Sequence, residues 1–174
     1  FMGVSVGCNV LVARFYGARN DRAVSETVHC AVGASAIIGL LAGAVGLIFS
    51  TPLLRLMGSP EDVLPLASLY LKIFFCGMPF NIAYNFGAAI LRAVGETKRP
   101  LYILSAAGIV NVALNLVTVI VFHMGVAGVA LATITSQLIS SVLVVRCLTR
   151  REDSCRLVLR EIRIYKDKLW EMIR

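Results

Sequence analysis

No carboxylate stands inside any of the long apolar runs of this chain: all ten acidic residues fall between those runs or after them. A proton relay built from acids within the runs is therefore excluded. The two histidines, His29 and His123, belong to no cluster with metal-ligand spacing. The five cysteines (Cys8, Cys30, Cys76, Cys147 and Cys155) form no CxxC pair. That argues against a structural zinc site, and five free thiols are expected. No GxxxxGK[ST] loop is present to cradle a phosphate. Ser35, Ser105 and Ser136 have no histidine or acid at the same depth of their runs, so no nucleophile, base and orienter come together. An enzyme is not expected, and neither a catalytic residue nor a cofactor is assigned. No cleavable leader is expected within these residues; the chain opens at Phe1, already within an apolar run, and reads as a piece whose start lies upstream.

What is there is apolar. Hydrophobic residues make up 58% of the 174 and charged residues 16%, with a mean hydropathy of +0.82, values that belong to polytopic membrane proteins. The formal net charge of +7 would suit nucleic acid, but the cations are gathered between and after apolar runs. They read as a topology signal instead, with the lipid bilayer as partner and no nucleic acid.

The expected fold class is all-α: a polytopic transmembrane helix bundle of four full spans, one truncated span and a cytoplasmic amphipathic tail helix. Two domains are expected, a transmembrane bundle over 1–148 and a linker helix over 149–174. Residues 1–13 are too short to cross a core of about 30 Å, which takes ~20 helical residues. Residues 14–27 read as a cation-rich cytoplasmic loop. Val28–Ser50 form a span ended by Thr51-Pro52, with Ala31, Ser35, Gly39 and Gly43 four apart on one packing face. Ser59 is a candidate N-cap with Pro60 at the first helical position.

Val63–Leu91 read as one long span in which Pro79 frees the carbonyl of Phe75 and predicts a kink. Lys72 either snorkels toward the outer headgroups or lines a cavity. Residues 92–100 form a second cytoplasmic loop. Leu101–Phe122 and Val126–Val145 then make a hairpin around Phe122-His123-Met124-Gly125. From Val158, the residues Ile162, Tyr165, Leu169 and Met172 follow at spacings of four, three, four and three, an amphipathic helix pattern near Trp170. Fifteen cations fall in 14–27, 92–100 and 146–174, and one, Arg55, on the opposite side. This places those segments in the cytoplasm and Ser59 outside.

The chemistry concentrates in the hairpin. Asn111 and Asn115 are one helical turn apart and face the same way. The tight turn brings Thr133 on the returning helix to a similar depth. Amides in hydrocarbon need partners. Two readings fit: interhelical glue, worth about 0.6–2 kcal/mol per residue, or neutral oxygens for a small cation. Asn81 and Asn85 repeat the same spacing on the preceding span.

The segments LVARFYGA, LRLMGSPEDVLPLASLYLKI, NFGAAILRAVGETKRPLY, NVALN and GVAGVALATITSQ, in that order, resemble the multidrug and toxic compound extrusion family of membrane transporters. The resemblance covers nearly the whole chain, as the second to sixth helices and inter-lobe linker of a twelve-helix protein. It implies secondary active efflux of drugs and amphipathic organic cations, by antiport against Na⁺ or H⁺ in the cell membrane. It further implies a coupling-ion site at Asn111, Asn115 and Thr133 and a substrate cavity at Asn81, Asn85 and Gln137. The partners would be a first helix and a second lobe not present here. The family's first-helix acid is outside this sequence, and Asn115 stands where some members carry Asp. A lipid or polysaccharide flippase of the same superfamily, or a non-transporting membrane half-protein, is the alternative.

Overall fold

The computed structural model describes residues 2–58, 60–152, 154–158 and 170. The order of elements is α1 (Met2–Gly17), α2 (Asp21–Leu56), α3 (Leu64–Cys76), α4 (Met78–Ala93), α5 (Lys98–Leu116), a π-helical turn (Val117–Val121) and α6 (Gly125–Thr149). Among the described residues, three stretches are long and apolar enough to cross a membrane: α2, α5 with its π turn, and α6. The pair α3 and α4 qualifies together, as one span bent by 46°. With α1 this is the expected all-α polytopic bundle.

Local chemistry moves several boundaries. Arg14 lies in the last turn of α1, and α2 already begins at Asp21 because the Asn20 side chain caps it, accepting from the Ala23 N–H at 3.1 Å. The segment 14–27 is thus mostly helix around a turn at 18–20, not a loop. Pro52 does not end α2, which runs on to Leu56. A proline this close to the C-terminus frees only the carbonyl of Ile48, a small loss where the helix nears its end. At ~1.5 Å per residue, α2 is about 54 Å long, well beyond a bilayer core.

Pro60 is not in a helix; residues 61–63 form a turn, and Pro65 takes the first-turn position of α3. Ser59 lies outside the described residues. The kink expected at Pro79 is a full break: α3 closes at Gly77, and Pro79 sits in the first turn of α4, where its missing N–H costs least. Of the proposed tail helix, residues 159–169 and 171–174 lie outside the described residues, and Val158 is non-helical.

The small-residue face of α2 receives that break. A Cβ on Gly39 would stand 2.6 Å from the Cα of Pro79, and one on Gly43 would stand 2.9 Å from the carbonyl oxygen of Phe75. Backbone therefore packs on backbone, as small residues permit in membrane helices. α4 is the central element, in contact with α1, α2 and α6. Its Phe86, Ile90 and Leu91 share one buried cluster with Cys8, Leu11 and Val12 of α1, Val24 and Val28 of α2, and Val144 and Leu148 of α6. Asn9 Nδ2 adds a polar tie, donating to the Ala89 carbonyl at 2.9 Å. None of the five cysteines forms a disulfide among the described residues. α5 lies at the edge, paired with α6, and only Pro100 and Ala107 of it are buried.

Candidate functional site

A cavity of about 400 Å³ opens between α4, α5 and α6, within the size range of small-molecule sites. Asn81 and Tyr84 line it from α4, Asn111 from α5, and Thr133, Ser136, Gln137 and Ser140 from α6. None of these is charged at neutral pH. On α6 the four residues follow at helical spacing and form one polar stripe. Tyr84 reaches across to donate to the Pro100 carbonyl at 3.0 Å, fixing α4 against the start of α5.

A directional ladder of hydrogen bonds crosses from α5 to α6. Asn115 Nδ2 donates to Asn111 Oδ1 at 3.0 Å, Asn111 Nδ2 donates to Ser136 Oγ at 3.2 Å, and Ser136 Oγ donates to the Thr133 carbonyl at 2.7 Å. The Thr133 hydroxyl donates to Val129 of its own helix at 2.9 Å. It is therefore Ser136, three residues on, that meets the amide pair.

Among the described residues, two buried side-chain atoms have no hydrogen-bond partner, and both are amide oxygens: Asn115 Oδ1 and Gln137 Oε1. A buried acceptor left unmet costs about 1–3 kcal/mol. Both belong to the hairpin polar set, so that set carries spare acceptors for an incoming donor or cation.

The expected residues separate into two groups. Asn81, Asn111, Thr133 and Gln137 share the cavity. Asn115 stands one turn beyond it, behind Asn111. Asn85 turns back along α4, its Nδ2 donating to the carbonyl and Oδ1 of Asn81 at 2.8 and 3.0 Å, and it does not line the cavity. Tyr84, Ser136 and Ser140 are additional, and a signal for them was present: Tyr84 is three residues after Asn81, and Ser136 and Ser140 are three and seven after Thr133.

The backbone departs from regular α-helix directly after this set. Val117–Val121 form a π turn closed by the Phe122 N–H on the Val117 carbonyl at 3.1 Å. Such wide turns concentrate at functional positions. The hairpin then reverses through His123, whose φ is +50°.

The profile of the MatE family matches residues 1–117, two thirds of the chain. The chain belongs to the MatE family. A curated MatE relative, the probable multidrug resistance protein YoeA of Bacillus subtilis, is 30% identical over 155 residues, 87% of this chain and 34% of its own length. The probable multidrug resistance protein YpnP of the same organism is 45% identical over 95 residues, 55% of this chain and 21% of its own length. The FAD transporter of Shewanella oneidensis is 30% identical over 145 residues, 80% of this chain and 32% of its own length. The chain thus spans about a third or less of these relatives.

Two solved structures of a multidrug resistance MATE family transporter superpose on 99% of the chain at 24% identity. The inward-facing one does so with a TM-score of 0.91 over 39% of its length, and the outward-facing one with 0.90 over 38%. The fold of the MatE family is that of this bundle.

Proposed function

We propose that this chain is part of the first lobe of a secondary active multidrug exporter, which moves drugs and amphipathic organic cations out of the cell against Na⁺ or H⁺ by alternating access between two lobes. The observation that carries the reading is the uncharged, acceptor-rich hairpin beside a cavity of drug-accepting size. A neutral wall of amides and hydroxyls orients a cationic amphiphile by hydrogen bonding without holding it so tightly that release fails. Multidrug resistance in the names of MatE relatives supports the substrate class.

Alternating access needs each lobe to move as a unit. The near-equal match to an inward-facing and an outward-facing transporter supports rigid-body motion of this part. Asn111, Asn115 and Thr133 form the coupling-ion region, completed by an acid from elsewhere in the full-length protein. Asn81 and Gln137 contact substrate, and Asn85 holds Asn81 in place. The segments 14–27, 92–100 and 146–174 face the cytoplasm, and 149–174 link the two lobes.

The test is reconstitution of the full-length transporter in vesicles, with efflux of a fluorescent organic cation followed under an imposed Na⁺ or proton gradient. Gradient-driven efflux that falls several-fold in Gln137→Leu is the expected result. Dye distribution indifferent to both gradients would refute the proposal.

A further inference from the structure

A second cavity, of about 490 Å³, lies between α2 and α3 at the end of the bundle that carries the 61–63 turn. Arg55 and Lys72 line it, together with Thr51, Ser68, Leu64 and Leu69. The Thr51 and Ser68 hydroxyls meet at 2.6 Å and tie the two helices at one level. Each helix carries its cation four residues past its hydroxyl. Because the helices run antiparallel, Arg55 stands about 6 Å toward the turn and Lys72 about 6 Å deeper.

These two cations are unlike the others of the chain. The remaining described ones gather at the opposite end of the bundle, where Glu96 pairs with Arg99 and Arg151 and Glu26 pairs with Arg22. Among the described residues neither Arg55 nor Lys72 makes an ion pair. Glu61 and Asp62 stand in the adjacent turn but do not line the cavity. Two like charges are therefore held on one crevice at the edge of the hydrocarbon without an acid of the protein between them. Lys72 gains by turning its ammonium toward the turn and out of the apolar layer. That movement carries it to the level of the hydroxyl pair, where Arg55 arrives from the other side.

We propose that this crevice binds the headgroup of an anionic phospholipid. The phosphate is held by Arg55 and Lys72, and the Thr51–Ser68 pair supplies hydrogen bonds at the same level. The acyl chains continue along Leu69, which is 43% exposed, and along the exposed Ile48 and Phe49 of α2. The apolar wall is what selects a lipid over free phosphate, since a hydrated ion gains nothing from Leu64 and Leu69. The bound lipid neutralises the two cations and clamps α2 to α3 next to the break at Gly77.

The experiment uses the full-length transporter, exchanged into micelles with equal phosphatidylglycerol and phosphatidylcholine, its retained lipid read by native mass spectrometry. The wild type is expected to retain phosphatidylglycerol preferentially, and Arg55→Gln/Lys72→Gln to lose that preference by about tenfold or more. Arg55→Lys/Lys72→Arg should keep it, as should Lys98→Gln at the opposite end. Both cations are exposed, so folding should survive the change; a thermal shift given by phosphatidylglycerol but not phosphatidylcholine in the wild type alone is the second readout. An unchanged preference in the double glutamine variant would overturn the proposal. So would displacement of the retained lipid by millimolar inorganic phosphate, which would mark an anion site without lipid selectivity.

Discussion

The buried imidazole of His29 joins α2 to the segment that follows α6: its Nε2 accepts from the Val158 N–H at 3.0 Å, while its Nδ1 donates to the Ser25 carbonyl at 2.7 Å. The two bonds fix one neutral tautomer. Cys155 and Leu157, both fully buried, pack beside this bond into the α1–α2–α4–α6 cluster. The start of the post-α6 segment is therefore part of the bundle core. Glu96, ion-paired with Arg151 and Arg99, holds the same segment to the α4–α5 turn.

Removing the His29 acceptor should loosen that segment selectively. His29→Phe keeps a ring in the pocket but removes the acceptor of the Val158 N–H, a bond worth about 0.5–1.5 kcal/mol. Hydrogen exchange over 154–158 should rise by roughly tenfold, with α5 unchanged. Equal exchange in variant and wild type would mean that Cys155 and Leu157 hold the segment unaided.

A second prediction concerns the contact between α2 and the break in the next span. Gly39→Ala puts a methyl 2.6 Å from the Pro79 Cα, a backbone atom that cannot rotate away. Overpacking of this kind costs about 1–3 kcal/mol. The melting temperature of the full-length protein should fall by several degrees. Gly17→Ala, with nothing within 4 Å of the added carbon, should leave it unchanged. A Gly39→Ala protein as stable as the wild type would show that α2 and α4 slide apart at no cost.

Much of the architecture was legible because hydrocarbon imposes strict rules. Long apolar runs, cations gathered mostly at one set of span ends, the small-residue face at Ala31, Ser35, Gly39 and Gly43, and the proline at 79 each have one dominant physical consequence. Boundaries were less legible. Asn20 captures α2 earlier than the cation-rich reading of 14–27 allows, and Pro52 near a helix end lacks the leverage to stop it. Of the site, the Asn111–Asn115 pair follows from helical spacing alone. The choice of Ser136 over Thr133 as its partner does not. It depends on the rotation of α6 about its axis, which the packing of Gly128 against Thr118 and of Val144 against Gly87 sets from other parts of the chain. The bond from His29 to Val158 spans 129 positions and leaves no local trace.

Topology is the third prediction. The fifteen-to-one division of cations calls for Arg19 and Arg99 on the cytoplasmic side and Met57, 77% exposed at the far end of α2, on the outer side. Single cysteines at these positions, in a full-length background freed of other thiols, would be exposed to an impermeant thiol reagent on intact cells. Met57→Cys should react and Arg19→Cys and Arg99→Cys should not. The reverse pattern would invert the assignment of every span.

The last prediction separates ion coordination from interhelical glue at the amide ladder. Asn115 Nδ2 holds Asn111 Oδ1 in place, and Asn115 Oδ1 is buried with no partner among the described residues. Glue would satisfy that oxygen, whereas a coupling site needs it free to meet a small cation. Neutral oxygens alone do not offset the cost of burying a cation, so the coupling reading calls for an acid from elsewhere in the full-length protein. In the full-length protein, Asn115→Ala should reduce Na⁺-driven export at least tenfold and raise the Na⁺ concentration for half-maximal rate. Ser35→Ala removes a buried hydroxyl that, among the described residues, bonds within its own helix, to the Val32 carbonyl at 2.7 Å, and should change neither. Asn115→Asp restores an oxygen at the same place and should recover Na⁺ dependence, because a carboxylate coordinates the ion at least as well as an amide. Loss of stability in Asn115→Ala with Na⁺ dependence intact would show that the ladder only holds α5 to α6.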